Sequence, residues 1–251
     1  MASEAVLELT GISFAYPGAA RPVLDGLDFD LRAGERIGLY GPNGSGKTTM
    51  LHVLMGLVRP TSGEVRFRGR VVRTEKEFRA VRQGVGLLLQ NADDQIIYPT
   101  VLDDVAFGPL NRGLSRTAAR QAAEAALSLL GLDGFGDRLA HKLSGGEKKL
   151  VSLAGVLAME PEALLLDEPT NGLDPETRDR IVGILGRLGK PYVVISHDWD
   201  FLARVAQRFC TIEHGRLNRD ARFVLHEHVH GHPLGNLDHR HEVEDHCGSH
   251  A

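Results

Sequence analysis

Gly41-Pro42-Asn43-Gly44-Ser45-Gly46-Lys47-Thr48 is the stretch whose reading decides this chain, and it fits the pattern G-x-x-x-x-G-K-[ST] at every required position. Arg36-Ile37-Gly38-Leu39-Tyr40, just before it, reads as a short buried strand. Thr49 to Leu57 reads as a helix with Met50, Leu51, Leu54 and Leu57 on its apolar side. Gly41, Gly44 and Gly46 let the backbone approach an anion and turn successive N–H groups inward, and the helix start adds the positive end of its dipole. Pro42, Asn43 and Ser45 complete a loop built for phosphate. In that setting Lys47 would place its ammonium on the β- and γ-phosphates of a nucleotide, and Thr48 would offer its hydroxyl to a magnesium ion.

The 251 residues are 42% apolar and 25% charged, an ordinary composition for a globular protein with a sizeable core. No uncharged apolar run reaches the roughly 18 to 20 residues that cross a bilayer, and Met1-Ala2-Ser3-Glu4-Ala5 lacks a basic signal-peptide start. Cys210 and Cys247 are too few for a disulfide framework, so the expectation is a cytosolic, reducing compartment. The net charge of −4 sits after residue 225, where five acids meet one base, and the balanced remainder gives no net pull toward nucleic acid.

Outward from the loop, residues 6–16 hold short β-like stretches, and Leu27, Phe29 and Leu31 alternate with charged residues as in a half-exposed strand. Between them Tyr16 precedes a Pro-Gly turn, placed either to stack on a purine or to pack in the core. Glu64 to Arg68 reads as an exposed-edge strand, and Val85 to Leu89 as an apolar strand ending at Gln90. Residues 91–143 read as a helical insertion, with a helix over 115–130 capped by Ser115. Leu143-Ser144-Gly145-Gly146-Glu147 then opens a helix with Leu150, Leu153, Ala154 and Leu157 as its core stripe. Ser144 is either its cap or part of a second anion site. Ala163 to Leu166 is a strand ending in Asp167-Glu168, and Tyr192 to Ser196 another ending at His197. Two adjacent carboxylates at the carboxyl end of a buried strand call for a cation, where ligands of open α/β sheets gather. Gln90, Asp167 and His197 thus converge on one sheet edge. A helix from Glu176 to about Leu188 and a closing hairpin near residues 209–216 complete the pattern.

With these residues assembled, the chain resembles the nucleotide-binding subunit of ABC transporters over residues 5 to about 218. The motifs, in order, are the loop at 41–48, Gln90, the 143–147 signature, Asp167-Glu168, Leu173-Asp174 and His197. The resemblance implies an α/β fold, a P-loop NTPase (RecA-like) core with an antiparallel β subdomain and a helical subdomain inserted at about 91–143. It implies that Tyr16 stacks near adenine, Thr49 reaches the α-phosphate, and Asp167 helps Thr48 hold magnesium. Glu168 would polarise the attacking water, His197 would contact the γ-phosphate region, and Gln90 would link metal and water to the transport subunit. Ser144, Gly145 and Gly146 would serve the nucleotide of a second ATPase copy, since one phosphate loop supplies half of each composite site. Glu147 stands where glutamine is more usual. Residues 90–109 further resemble the ATPases of energy-coupling factor importers of cobalt and nickel. That implies membrane partners, a transport subunit and a substrate-binding subunit, reached from the cytoplasmic face, with Asp93 and Asp94 near basic coupling helices.

Residues 219–251 read as a flexible His-rich tail holding eight of the twelve histidines. His226, His228, His230 and His232 recur at every second residue, with His239 and His241 following among carboxylates. Imidazole suits nickel, cobalt, zinc and copper, so the tract reads as transition-metal binding, with a passive solubilising tail or a purification tag as the bland alternatives. The sequence therefore points to ATP hydrolysis with Mg2+ that drives import of nickel or cobalt. The rivals are a vitamin importer of the same class, a soluble ABC ATPase and a metal-storage protein.

Overall fold

The computed structural model describes residues 5–219. The tail histidines, His226, His228, His230, His232, His239 and His241 among them, lie outside the described residues. Two sheets carry the architecture. The first is antiparallel and is built from β1 (Ala5–Phe14), β2 (Leu24–Arg32), β4 (Ser62–Phe67) and β5 (Arg70–Val72) in the order β2-β1-β4-β5. The second joins β3 (Arg36–Tyr40), β6 (Val85–Leu88), β7 (Ala163–Asp167), β8 (Tyr192–Ile195), β9 (Arg208–Glu213) and β10 (Arg216–Asn218) in the order β10-β9-β3-β8-β7-β6. Every pairing in this sheet is parallel except that of β9 with β10.

The helices cover the second sheet and fill the space between its strands in sequence. They are α1 (Lys47–Leu54), α2 (Glu75–Gly84), α3 (Val101–Asn111), α4 (Arg116–Leu129), α5 (Gly145–Ala158), α6 (Pro175–Arg187) and α7 (Trp199–Val205). One apolar cluster joins α1 to the antiparallel sheet and to Ile37, Leu39, Leu165 and Val193 of the parallel one. A second unites α3, α4 and α5 with α6, α7 and the opposite face of that sheet, through residues such as Leu164, Leu166 and Val194. The central strands β7 and β8 are buried on both faces, which is why they read as unbroken apolar runs. No helix among the described residues is long and apolar enough to cross a membrane.

Two sequence expectations are corrected and a third is extended. The helix after the loop runs from Lys47 to Leu54, not from Thr49 to Leu57. Gly46 in the left-handed region starts it directly, and Gly56, at φ 67°, ends it with the Phe78 ring lying where a Cβ would sit, so Leu57 is exposed. β4 is no edge strand, because it pairs with β1 on one side and β5 on the other. The closing hairpin of β9 and β10 is real, but β9 also pairs in parallel with β3, so the hairpin extends the main sheet.

Candidate active site

Parallel register brings the chemistry-bearing strand ends into one line. Leu39 pairs with Ile195, Ile195 with Asp167, and Leu166 with Leu88, so the phosphate loop, Ser196-His197, Asp167-Glu168 and Gln90 all follow the carboxyl edge of the sheet. α1 carries no side-chain cap and no acid in its first turn, and its N-terminal N–H groups open onto the loop. Gly46 adopts φ 106° there, and an added Cβ would come within 2.8 Å of the Leu24 side chain and 3.0 Å of the Val23 carbonyl. Only glycine fits. Pro42, Asn43 and Gly44 are exposed, and the buried Ser45 hydroxyl oxygen has no hydrogen-bond partner among the described residues.

Lys47 Nζ donates to the Gly41 carbonyl at 2.7 Å and to that of Pro42 at 2.9 Å. Burial pushes its pKa down, while Glu168 and Asp167 pull it back up. Thr48 Oγ1 donates to Asp167 Oδ2 at 2.7 Å, so these two oxygens sit together as a hard-cation donor pair. Burial raises the Asp167 pKa, against the lowering effect of Thr48 and of nearby His52, Lys149 and Lys47. Glu168 is 7% exposed and adopts φ 48°, a strained backbone for a residue with a Cβ. Burial, then the adjacent Asp167 charge, raises its pKa. Ser196 Oγ donates to Glu168 Oε2 at 3.4 Å, His197 Nε2 lies 3.7 Å from Oε1, and Oε1 itself is buried with no hydrogen-bond partner. A buried orphan carboxylate oxygen beside a second buried carboxylate is the arrangement that a cation and a polarised water would satisfy. The residues present fit magnesium and nucleotide phosphate. Among the described residues no group of three or more His, Cys, Asp or Glu comes together for a metal.

The other predicted residues fall into two sets. Tyr16 is 43% exposed, so the core alternative fails, and its hydroxyl lies 3.1 Å from Thr49 Oγ1 at the start of α1. Gln90 is exposed and follows β6, its carbonyl held by Lys149. Ser144, Gly145 and Gly146, by contrast, start α5, and no hydrogen bond among the described residues joins them to the phosphate loop. Ser144 is the cap: its Oγ accepts from the Glu147 N–H at 3.3 Å while Glu147 Oε2 accepts from the Ser144 N–H at 2.8 Å. Glu147 also pairs with Arg138 at 3.3 Å, a guanidinium stacked 3.6 Å over Phe135. That network gives both carboxylate oxygens of Glu147 a partner. Asp93 forms an ion pair with Lys148 within the chain, at 2.6 Å.

Sequence reasoning missed two features of the site. The single tryptophan, Trp199, stacks 4.4 Å from Tyr40, which in turn meets His197 edge-on at 6.0 Å, so aromatic rings back the histidine. The second is Lys149, buried on α5 and within the electrostatic reach of the carboxylate pair. Its spacing of four from buried Leu153 was the available hint.

A glycine loop, a lysine and paired carboxylates along the edge of a parallel sheet define a P-loop nucleoside triphosphatase. Residues 24–171 match the sequence pattern of the family described as ABC transporter. A protein of Nitratidesulfovibrio vulgaris, provisionally described as an ABC transporter ATP-binding protein, is 52% identical over 98% of this chain and 89% of its own length. The energy-coupling factor transporter ATP-binding protein EcfA of Methanothermobacter thermautotrophicus is 43% identical over 84% of this chain and 69% of its own. Among solved structures, cbiO1 of Clostridium perfringens, part of the ABC transporter complex cbiONQ, is 30% identical with a TM-score of 0.75, covering 86% of this chain and 88% of that one. The chain belongs to the ABC transporter ATP-binding family, and it is an ATP-hydrolysing transporter subunit.

Proposed function

We propose that this subunit drives import of a transition-metal ion, nickel or cobalt, through an energy-coupling factor type transporter, peripheral to the cytoplasmic face of the membrane. The observation that carries the cargo is the alternating histidine tract at 226–232 on a cassette similar to EcfA and cbiO1. Residues 219–251 act as a tail that gathers nickel or cobalt through His226, His228, His230, His232, His239 and His241.

In this reading Tyr16 stacks on adenine, the 41–48 backbone and Thr49 hold the phosphates, and Lys47 lies along the β- and γ-oxygens. Thr48, Asp167 and Gln90 hold Mg2+, which when bound offsets charge on those oxygens. Glu168 orients the attacking water and draws its proton, and His197 steadies the γ-phosphate. The raised pKa of Glu168 suits a base that has to accept a proton near neutral pH. One chain has one phosphate loop, and Ser144 and Gly145 at the start of α5 are exposed, which supports a homodimer in which each α5 faces the other copy's nucleotide. A cavity of about 390 Å³ lined by Asp93, Ile96, Ile97, Tyr98, His141 and Lys148 suits a helix of the membrane subunit, with Ile97 63% and Tyr98 38% exposed at its mouth.

Uptake of radioactive nickel and cobalt in cells tests the cargo, comparing the full chain, a chain ending before His226, and Lys47→Ala. Both variants should lose uptake, Lys47→Ala completely. Metal uptake that is unchanged without the tail and without Lys47 would leave the vitamin importer, whose membrane partner would then co-purify from solubilised membranes.

A further inference from the structure

Lys149 is the one lysine of α5 that turns inward. It is 5% exposed, whereas Lys148 beside it reaches the surface to pair with Asp93. A buried ammonium needs partners, and this one has two carbonyls, Leu89 O at 3.3 Å and Gln90 O at 2.5 Å. Those atoms belong to the first residues after β6, where the chain leaves the sheet edge. No carboxylate lies within ion-pair distance of Lys149 among the described residues, yet Asp167 and Glu168 both act on its charge, and its own charge lowers the pKa of Asp167. Two buried lysines therefore share the field of the carboxylate pair, Lys47 at the start of α1 and Lys149 on α5. Each comes from a different element.

We propose that Lys149 is a positioning residue that clamps the Gln90 segment to the helix begun by Ser144-Gly145-Gly146, so that both move as one body relative to Asp167 and Glu168. Fourteen residues of rigid helix carry Ser144 at one end of the lever and Lys149 one turn along it. A displacement of that helix start, whatever drives it, is then delivered to Gln90 through two hydrogen bonds. The inference rests on the part given above to Gln90 in holding metal and water.

The test is steady-state ATP hydrolysis by the full-length chain as a function of ATP and of Mg2+, with folding checked by melting temperature. Lys149→Met should lower kcat about tenfold, leave KM for ATP within about twofold, and raise the Mg2+ concentration needed for half-maximal rate, as loss of a supporting partner does. Lys149→Arg should recover most of the rate. Lys149→Gln, which keeps a donor for one carbonyl, replaces Lys149→Met if that chain does not fold. In a Gln90→Ala background the same change should cost less than about twofold further, because both act on one segment. A folded Lys149→Met or Lys149→Gln chain with unchanged kcat and Mg2+ dependence overturns the proposal, as does a full additional tenfold loss on top of Gln90→Ala. If Lys149→Arg is as poor as Lys149→Met with a raised KM, the lysine is only a packing element. Wild-type turnover by Gln90→Ala alone would instead sink the role of Gln90, and this coupling with it.

Discussion

Two helix starts bear the glycine motifs of this chain, and they are built in opposite ways. α1 begins on a left-handed glycine, with no side-chain cap and no acid in its first turn, so its N–H groups and dipole face a ligand. α5 begins on Ser144 inside a complete capping box, with Glu147 returning a carboxylate to the Ser144 N–H. The acids near each follow suit. Burial pushes the Asp167 and Glu168 pKa values up beside α1, whereas hydrogen bonds from Ser144 hold that of Glu147 down at α5. One end is prepared to take an anion by itself. The other is internally satisfied, and anything it contributes to a second copy's nucleotide must come without breaking that box, through exposed Ser144 and Gly145.

The largest effect expected on this contrast comes from Glu168→Gln. Turnover should fall about 10³-fold, the scale of losing a general base, while ATP binding measured by calorimetry persists. The same change should stabilise the nucleotide-free chain, because it removes a buried charge next to Asp167. A gain of about 1 kcal/mol would raise the melting temperature by about 2–4 °C. The sign follows from the raised folded pKa: the cost of the charge is present above that pKa and fades as pH falls through it toward 4.5, the ordinary value. The stabilisation should therefore shrink on acidification; a melting-temperature gain that grows toward low pH would contradict it. Gly46→Ala comes next. Its Cβ would meet Leu24 and the Val23 carbonyl in a left-handed backbone, and a loss of about 2 kcal/mol in denaturant unfolding is expected, together with failure to bind ATP.

The α1 end was far easier to read from sequence than the α5 end. The loop pattern, its preceding strand and the apolar runs ending in Asp167-Glu168 and His197 are local, and parallel pairing then aligns what each strand end carries. α2 escaped notice because only Phe78 and Val81 of its ten residues are buried, although Thr74 and Glu77 spell a capping box. α7 is seven residues long, too short to show a period. Lys149 and the Tyr40–Trp199 shelf depend on contacts across 59 and 159 positions, and no local pattern encodes those. Glu147 stood out in the resemblance, but its pair with Arg138, which lies over Phe135 in the preceding loop, could not be read there.

Smaller effects probe α5. Ser144→Ala should cost about 1 kcal/mol of stability through the lost cap, and it should lower turnover while leaving ATP affinity of the isolated chain unchanged. Equal loss of affinity would mean that α5 serves the nucleotide of its own chain. Glu147→Gln is the subtlest. A glutamine oxygen can still accept from the Ser144 N–H, so the box survives, and what is lost is a charge at a helix start and a half-exposed pair with Arg138, together worth about 0.5 kcal/mol. Because the folded pKa of Glu147 lies below 4.5, its charge contributes stability at neutral pH that is lost as pH falls through the folded value. The difference between wild type and Glu147→Gln in urea unfolding should accordingly be present at pH 7 and vanish in acid. Turnover provides the sharper reading, since removing a negative charge from the α5 start makes that end more like α1. If Ser144 and Gly145 meet a partner's phosphates, Glu147→Gln should lower the ATP concentration at half-maximal rate. An increase instead would mean that the carboxylate holds the helix start in the geometry the second nucleotide needs, and that the two ends differ by function rather than by degree.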